Sequence, residues 1–411
     1  MSKSETGVAR PGLVAGFIKR GLIVTIVAIA LKLAAELAPI GHWADYQTFV
    51  WLAQSDRFRP DPGIVVADIG QLPGGEKDPV TGKIIPTPRI PLQEIVRAIA
   101  AAGARGVMVD IDMSPNQDGW LTPGDPAFLE EMLRVNASVP VRLGVYRTLM
   151  DSDDAWLGQH RYASLAAGVF LPTGEARRVP FAFYPEEAHG RALPSLAAAV
   201  VRSPRSSWRD FIASRSHSEE VQITSDMSIR SDIGPIDYSV IPQLKRETLP
   251  VAGAEDVRKL RDKLKNQLVF VGSTQGGRDS FAVPGDTESQ AGIYIHAAAA
   301  YTLDKAPLWD AKFGSRLAAD FALSLLALYG FVLAGVHREN SPEARRIAQG
   351  RIILAVVALI VMLGLATIHY ARIFWTDFFL ACLFLALHPG MERFAERFSV
   401  FRRFGFGEHH A

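Results

Sequence analysis

Four nearly uninterrupted apolar runs, at residues 21–38, 317–336, 352–368 and 373–388, constrain this chain more than any other feature. A helix rises about 1.5 Å per residue, so about 20 apolar residues cross a bilayer. The run 317–336 has that length, and its one charge, Asp320, lies near one end. The run 352–368 is slightly shorter and is flanked by Arg351 and His369, whose side chains can reach an interface. The run 373–388 is shorter again and pairs with its predecessor across the turn at 369–372. Within 21–38, Lys32 and Glu36 are four apart, so they share a helix face and neutralise each other. The spacing predicts four transmembrane helices, one before and three after a long polar middle.

Lysine and arginine placement sets the orientation. Lys3, Arg10, Lys19 and Arg20 precede the first run; Arg338, Arg345, Arg346 and Arg351 lie between the second and third; Arg393, Arg397, Arg402 and Arg403 follow the fourth. Four crossings put all three basic regions on the cytoplasmic side. The expected layout is a cytoplasmic start (1–20), a membrane helix (21–39), an extracytoplasmic domain (40–312), three membrane helices (313–389) and a cytoplasmic tail (390–411). That is the layout of a multi-pass protein of a bacterial inner membrane. A cleavable signal peptide is the competing reading of residues 1–40, and it leaves the domain outside as well. The net charge of +1 gives no case for nucleic acid. The single cysteine, Cys382, allows neither an internal disulfide nor a cysteine metal site.

The middle reads as an α/β domain with a mostly parallel sheet and flanking helices. Residues 64–69, 106–111 and 268–272 are short runs rich in Val and Ile without clean alternation, as expected of strands covered on both faces. Ile90, Ile95 and Ile99 give a helical pattern stopped by Gly103, so strand, helix and strand form a βαβ unit. Further strands are expected at 139–146, 179–183 and 221–224. Further helices are expected at 126–135, 193–201, 255–264 and 296–304. The segment 71–89 holds four Pro and three Gly and reads as a long loop. The polar segment 203–218 reads as a surface excursion.

These residues resemble the CHASE2 domain, the extracellular sensory module of bacterial membrane receptors. The resemblance is carried by GIVVADI at 63–69, RIPLQEIVRAIAAAGARGVMVDIDMS at 89–114, RRVPFAF at 177–183, LPSLAAAVV at 193–201, and LKNQLVFVGSTQGGRDSF followed by GIYIHAAA within 264–299. It also covers the membrane frame of one helix before and three after. Relatives usually carry a Trp/Pro/Arg-rich stretch before the first crossover helix, where this chain has a Gly/Pro loop ending Thr87-Pro88-Arg89. Such receptors usually continue into a cyclase, kinase or diguanylate cyclase domain, whereas Ala411 follows soon after the last run. The resemblance implies a sensor without enzymatic activity, with its output on a separate effector chain.

Ligands of open α/β sheets bind beyond the carboxyl ends of the strands. Asp68, Asp110, Asp112, Ser114, Ser273, Thr274 and Asp279 fall at or past such ends, and His296 is expected to open the helix after Gly292. These eight residues are the candidate lining of a site for a small ligand. The turn 272–277 offers backbone N–H groups to an anion. The alternative is that these side chains cap helices and close turns. No cofactor and no metal is expected: no closely spaced histidine pair suggests zinc, and Gly75 to Lys83 lacks P-loop spacing.

Two other functions compete. The domain could be a protein-binding part of an envelope complex. Alternatively, VMVDIDMS at 107–114 resembles the nucleophile motif of haloacid dehalogenase phosphatases, in which the first Asp attacks phosphorus beside Mg²⁺. Ser273 replaces the metal-binding carboxylate that chemistry needs. In the tail, Phe394, Phe398 and Phe401 interleave with arginines, a pattern suited to anionic membrane lipids or to a partner protein. A periplasmic partner and a homodimer are both compatible with the sequence, although no heptad repeat supports the latter.

Overall fold

The computed structural model describes residues 39–55, 61–74, 85–114, 122–146, 161–171, 177–184, 192–201, 209–222, 228–275, 279–319, 321–323 and 342–375. The first apolar run, most of the second and fourth, and the tail lie outside the described residues. The chain divides into two compact units, Phe49–Asp310 and the combination of Met1–Thr48 with Ala311–Ala411.

In the larger unit, six parallel strands form one sheet. They are β1 (Ile64–Asp68), β2 (Gly106–Asp112), β3 (Val141–Val145), β4 (Ala166–Gly168), β9 (Leu249–Pro250) and β10 (Leu268–Gly272), in the order β9-β1-β10-β2-β3-β4. The numbers between β4 and β9 belong to a second sheet described below. β10 lies between β1 and β2, so the expected strand–helix–strand unit spans a gap filled by the last strand to arrive.

The absence of alternation in these strands has a direct cause. Val65, Ala67, Val107, Val109, Val269 and Val271 face one core, while Ile64, Val66, Met108, Leu268 and Phe270 face the other. Both faces are dry, so every position is apolar. Helix α1 (Pro39–Ser55) comes first in the chain; the first core is closed by helices α2 (Arg89–Ala101), α3 (Asp125–Asn136) and α5 (Ala254–Lys259), through Leu92, Ile95, Ile99, Phe128 and Val257. The second is closed by α4 (Ile241–Arg246) and α6 (Gly292–Asp304). Each fully buried Val, Leu, Ile or Phe contributes about 1.5–3 kcal/mol. Residues 292–302 of α6 are all buried, and the run of alanines lets the helix lie close against the sheet.

A second, antiparallel sheet holds β5 (Arg178–Tyr184), β6 (Leu193–Pro194), β7 (His217–Gln222) and β8 (Ser228–Pro235), in the order β6-β5-β8-β7. This sheet is absent from the expectation of one mostly parallel sheet, and β8 was not expected at all. The helix expected at 193–201 is also corrected. Ser195 N donates to Phe181 O at 2.9 Å and Leu196 N to Gly168 O at 2.9 Å, so this segment stitches the two sheets together. Pairing on both sides overrides the helical propensity of its alanines. The expected helix 255–264 is two short pieces, α5 and Arg261–Leu264. Within the polar segment 203–218, Arg209–Ile212 is helical, Ala213–Ser214 is extended and His217 starts β7.

Arg178 of β5 gathers three residues. It contacts Asp310 in a two-pronged ion pair at 3.1 and 3.3 Å, and it lies over the Phe49 ring at 5.6 Å. His217 Nδ1 is 3.7 Å from the same Asp310 carboxylate, which raises the imidazole's pKa.

In the smaller unit, helix α7 (Pro342–Ala366) runs on through a wide turn at Thr367–Ala371. Its stretch Leu354–Ala371, 18 residues with mean hydropathy 2.2, is the one helix among the described residues long and apolar enough to cross a membrane. Leu354, Leu359, Met362 and Leu363 are exposed on it. Arg372 then adopts φ +59°, a left-handed conformation that ends the helix, and Ile373–Phe374 are extended. The helix expected from residue 373 therefore does not begin there.

Candidate functional site

The candidate residues converge on the carboxyl ends of β1, β10 and β2, the three central strands. The fold sorts them into two kinds, those that brace backbone and those that do not.

Asp68 is a brace. Its Oδ1 accepts from the backbone N–H groups of Gly70 and Thr274, both at 3.0 Å, and its Oδ2 accepts from Thr274 Oγ1 at 2.8 Å. It ties the exit of β1 to the exit of β10. Ser273 is exposed, and its Oγ accepts from Gln275 N at 3.2 Å in a local turn. The rest of the turn expected to cradle an anion, residues 276–277, lies outside the described residues.

Asp112 and Ser114 form the second brace. Asp112 Oδ1 accepts from Ser114 N and from Tyr146 N, each at 3.0 Å, and Ser114 Oγ also approaches Tyr146 N at 3.1 Å. A bulge makes this possible. β2 pairs Val109 with Leu143 and then Asp112 with Gly144, leaving Asp110 and Ile111 looped between them. Gly144 is required there, because a Cβ would stand 2.7 Å from Ile111 O. Bulges beside sites re-aim side chains in this way.

Asp110, within that bulge, faces α6. Its side chain is 10% exposed, and its Oδ1 lies 3.8 Å from Nε2 of His296, whose side chain is 4% exposed. Asp279 belongs to the same group. As a residue it is exposed, but its carboxylate rests on the Gly292 backbone, where a Cβ would meet Oδ2 at 2.5 Å. Gly272 performs the same service on the other side: a Cβ there would stand 3.1 Å from Asp110 Cβ and 2.9 Å from Ile293 Cδ1. His296 does not open its helix. α6 begins at Gly292, so His296 sits in the second turn, fully inside. The sequence marks Gly272 as the start of a turn and Gly292 as preceding a helix; their close approach to Asp110 and Asp279 is seen only in the fold.

Burial dominates the electrostatics. It pushes the Asp110 carboxyl up to about 7. It pushes Asp279 up to about 6, with help from the neighbouring Asp110 charge and against His296 and the Gly292 hydrogen bond. It pushes His296 down to about 4, against the pull of Asp279 and the Val169 backbone. At neutral pH the imidazole is uncharged, so its contact with Asp110 is no ion pair. Among the described residues there is no group of three or more His, Cys, Asp or Glu placed to hold a metal ion.

A family model for the CHASE2 domain matches residues 23–336. No curated protein and no solved structure matches the chain.

Proposed function

Because this chain belongs to the CHASE2 domain family, we propose that it is a membrane-bound sensor whose domain outside the cytoplasm binds a small ligand or a periplasmic partner. The single observation that carries this reading is the family match over residues 23–336 of the 411. CHASE2 domains are extracellular sensory modules. The apolar helix α7 and the basic flanks of the apolar runs support placement in a bacterial plasma membrane, with 40–312 outside and both termini cytoplasmic. A ligand that prefers one of two states of the domain shifts their populations, and the membrane segments pass that shift to an effector chain.

The same reading makes the protein a binder rather than an enzyme. Asp112, the residue a phosphatase would use to move a proton, is occupied by two backbone N–H groups. Ser273 stands where that chemistry needs a carboxylate.

Reporter fusions after residue 312 test the placement. Alkaline phosphatase, active only outside the cytoplasm, is expected to be active there and green fluorescent protein dark; the reverse pattern overturns the sensor. A thermal-shift panel of amino acids, sugars, anions and peptides on the full-length protein in detergent then tests binding, with stabilisation by at least one class expected.

A further inference from the structure

We infer that Asp110, Asp279 and His296 form the receptor site for an organic ammonium ion, a small amine bound as its cation. This rests on the sensor reading and names the ligand class for it.

The argument begins with what Asp110 lacks. Nine-tenths of its side chain is buried, yet no side chain or backbone group among the described residues donates a hydrogen bond to it. The nearest ionisable atom, His296 Nε2, is 3.8 Å away, beyond hydrogen-bond reach. The half-buried carboxylates elsewhere at this end of the sheet are satisfied: Asp68 accepts three bonds and Asp112 two. A bare buried carboxylate calls for a guest that brings donors and positive charge together.

The neighbours narrow the choice. The groups facing Asp110 are Asp279, from the segment leading to α6, and His296, from α6 itself. Two carboxylates repel anions. An ammonium has three donors, matching two carboxylates and one neutral imidazole. Hard metal ions take six or more oxygen ligands, or waters in their place. Here Ile293 supplies hydrocarbon instead, with its Cδ1 against Gly272, which suits an alkyl group attached to the cation.

Binding then competes with protons. The carboxyls must be ionised to hold a cation, so affinity rises with pH as they lose their protons.

The test uses the full-length chain in detergent, with methylammonium as probe. Sodium, magnesium and acetate arms are run at matched ionic strength, each at pH 5 and pH 8. Saturating methylammonium is expected to raise the Tm by about 2–4 °C at pH 8 and by less at pH 5. Asp110→Asn is expected to weaken binding about tenfold or more. If that variant fails to fold, Asp279→Asn and the wild-type pH comparison decide. Equal shifts in wild type and variant, equal shifts with sodium, or no methylammonium shift at pH 8 each overturn the ammonium site. Stabilisation by magnesium or acetate alone overturns it too, while leaving the sensor standing.

Discussion

Asp110 and Asp112 lie two residues apart on one strand, and the fold treats them in opposite ways. Asp112, beyond the bulge, is spent on holding β2 to the start of the next loop through Ser114 and Tyr146. Asp110, inside it, faces a neutral imidazole 3.8 Å away, too far for a hydrogen bond. Asp68 on β1 repeats the first pattern. The braced carboxylates keep the loops in place, and the bare one costs stability. Groups kept at a loss, in a fold that satisfies their neighbours, are where binding is to be sought.

The sharpest way to break this comparison is Asp68→Ala. It removes three hydrogen bonds and strands two backbone N–H groups, so denaturant unfolding is expected to show a loss of about 3 kcal/mol. A neutral result would mean that the braces hold nothing. Asp110→Asn is expected to move the other way. A carboxyl whose folded pKa is raised contributes most below its unfolded value near 3.8 and loses that contribution as pH rises through about 7. The variant therefore gains about 2 kcal/mol at pH 8, a gain that shrinks towards nothing by about pH 4. Destabilisation at pH 8 would show that Asp110 is braced after all.

Gly292→Ala probes the third carboxylate. Its new Cβ would displace the Asp279 oxygens, costing about 1 kcal/mol and, if the ammonium site holds, weakening methylammonium binding. The smallest effect is a slope. His296, with its pKa depressed to about 4, contributes stability above its unfolded value near 6.5 and loses it as pH falls through about 4. Over that window Asp110 and Asp279 both slope oppositely, two carboxyls against one imidazole, so the wild type is expected to gain stability on acidification. Asp110→Asn leaves one raised carboxyl, Asp279, against the histidine and is expected to flatten the slope between pH 6.5 and 4, read by chemical denaturation at each pH.

Much of this was legible in the sequence. Val and Ile runs without alternation announced strands covered on both faces, and the carboxyl-end rule collected seven of the eight candidates, His296 being taken from the helix after Gly292. What could not be read was which of them would be bare. That depends on a two-residue bulge, on Gly144 letting Ile111 through, and on α6 starting at Gly292 so that His296 faces inward. The antiparallel sheet was legible only in part, through the strands expected at 179–183 and 221–224. β7 is an edge strand, His-Ser-Glu-Glu-Val-Gln, mostly exposed and charged, which protects an edge but erases the apolar signal of a strand. The segment 193–201 has a helical composition and is claimed by two sheets at once.

Arg178 adds one consequence. The larger unit begins at Phe49 and ends at Asp310, residues far apart in the chain, and this one guanidinium lies over the first and grips the second. A tug on β5 thus reaches both ends of the domain in the same stroke, as one knot tightens two cords.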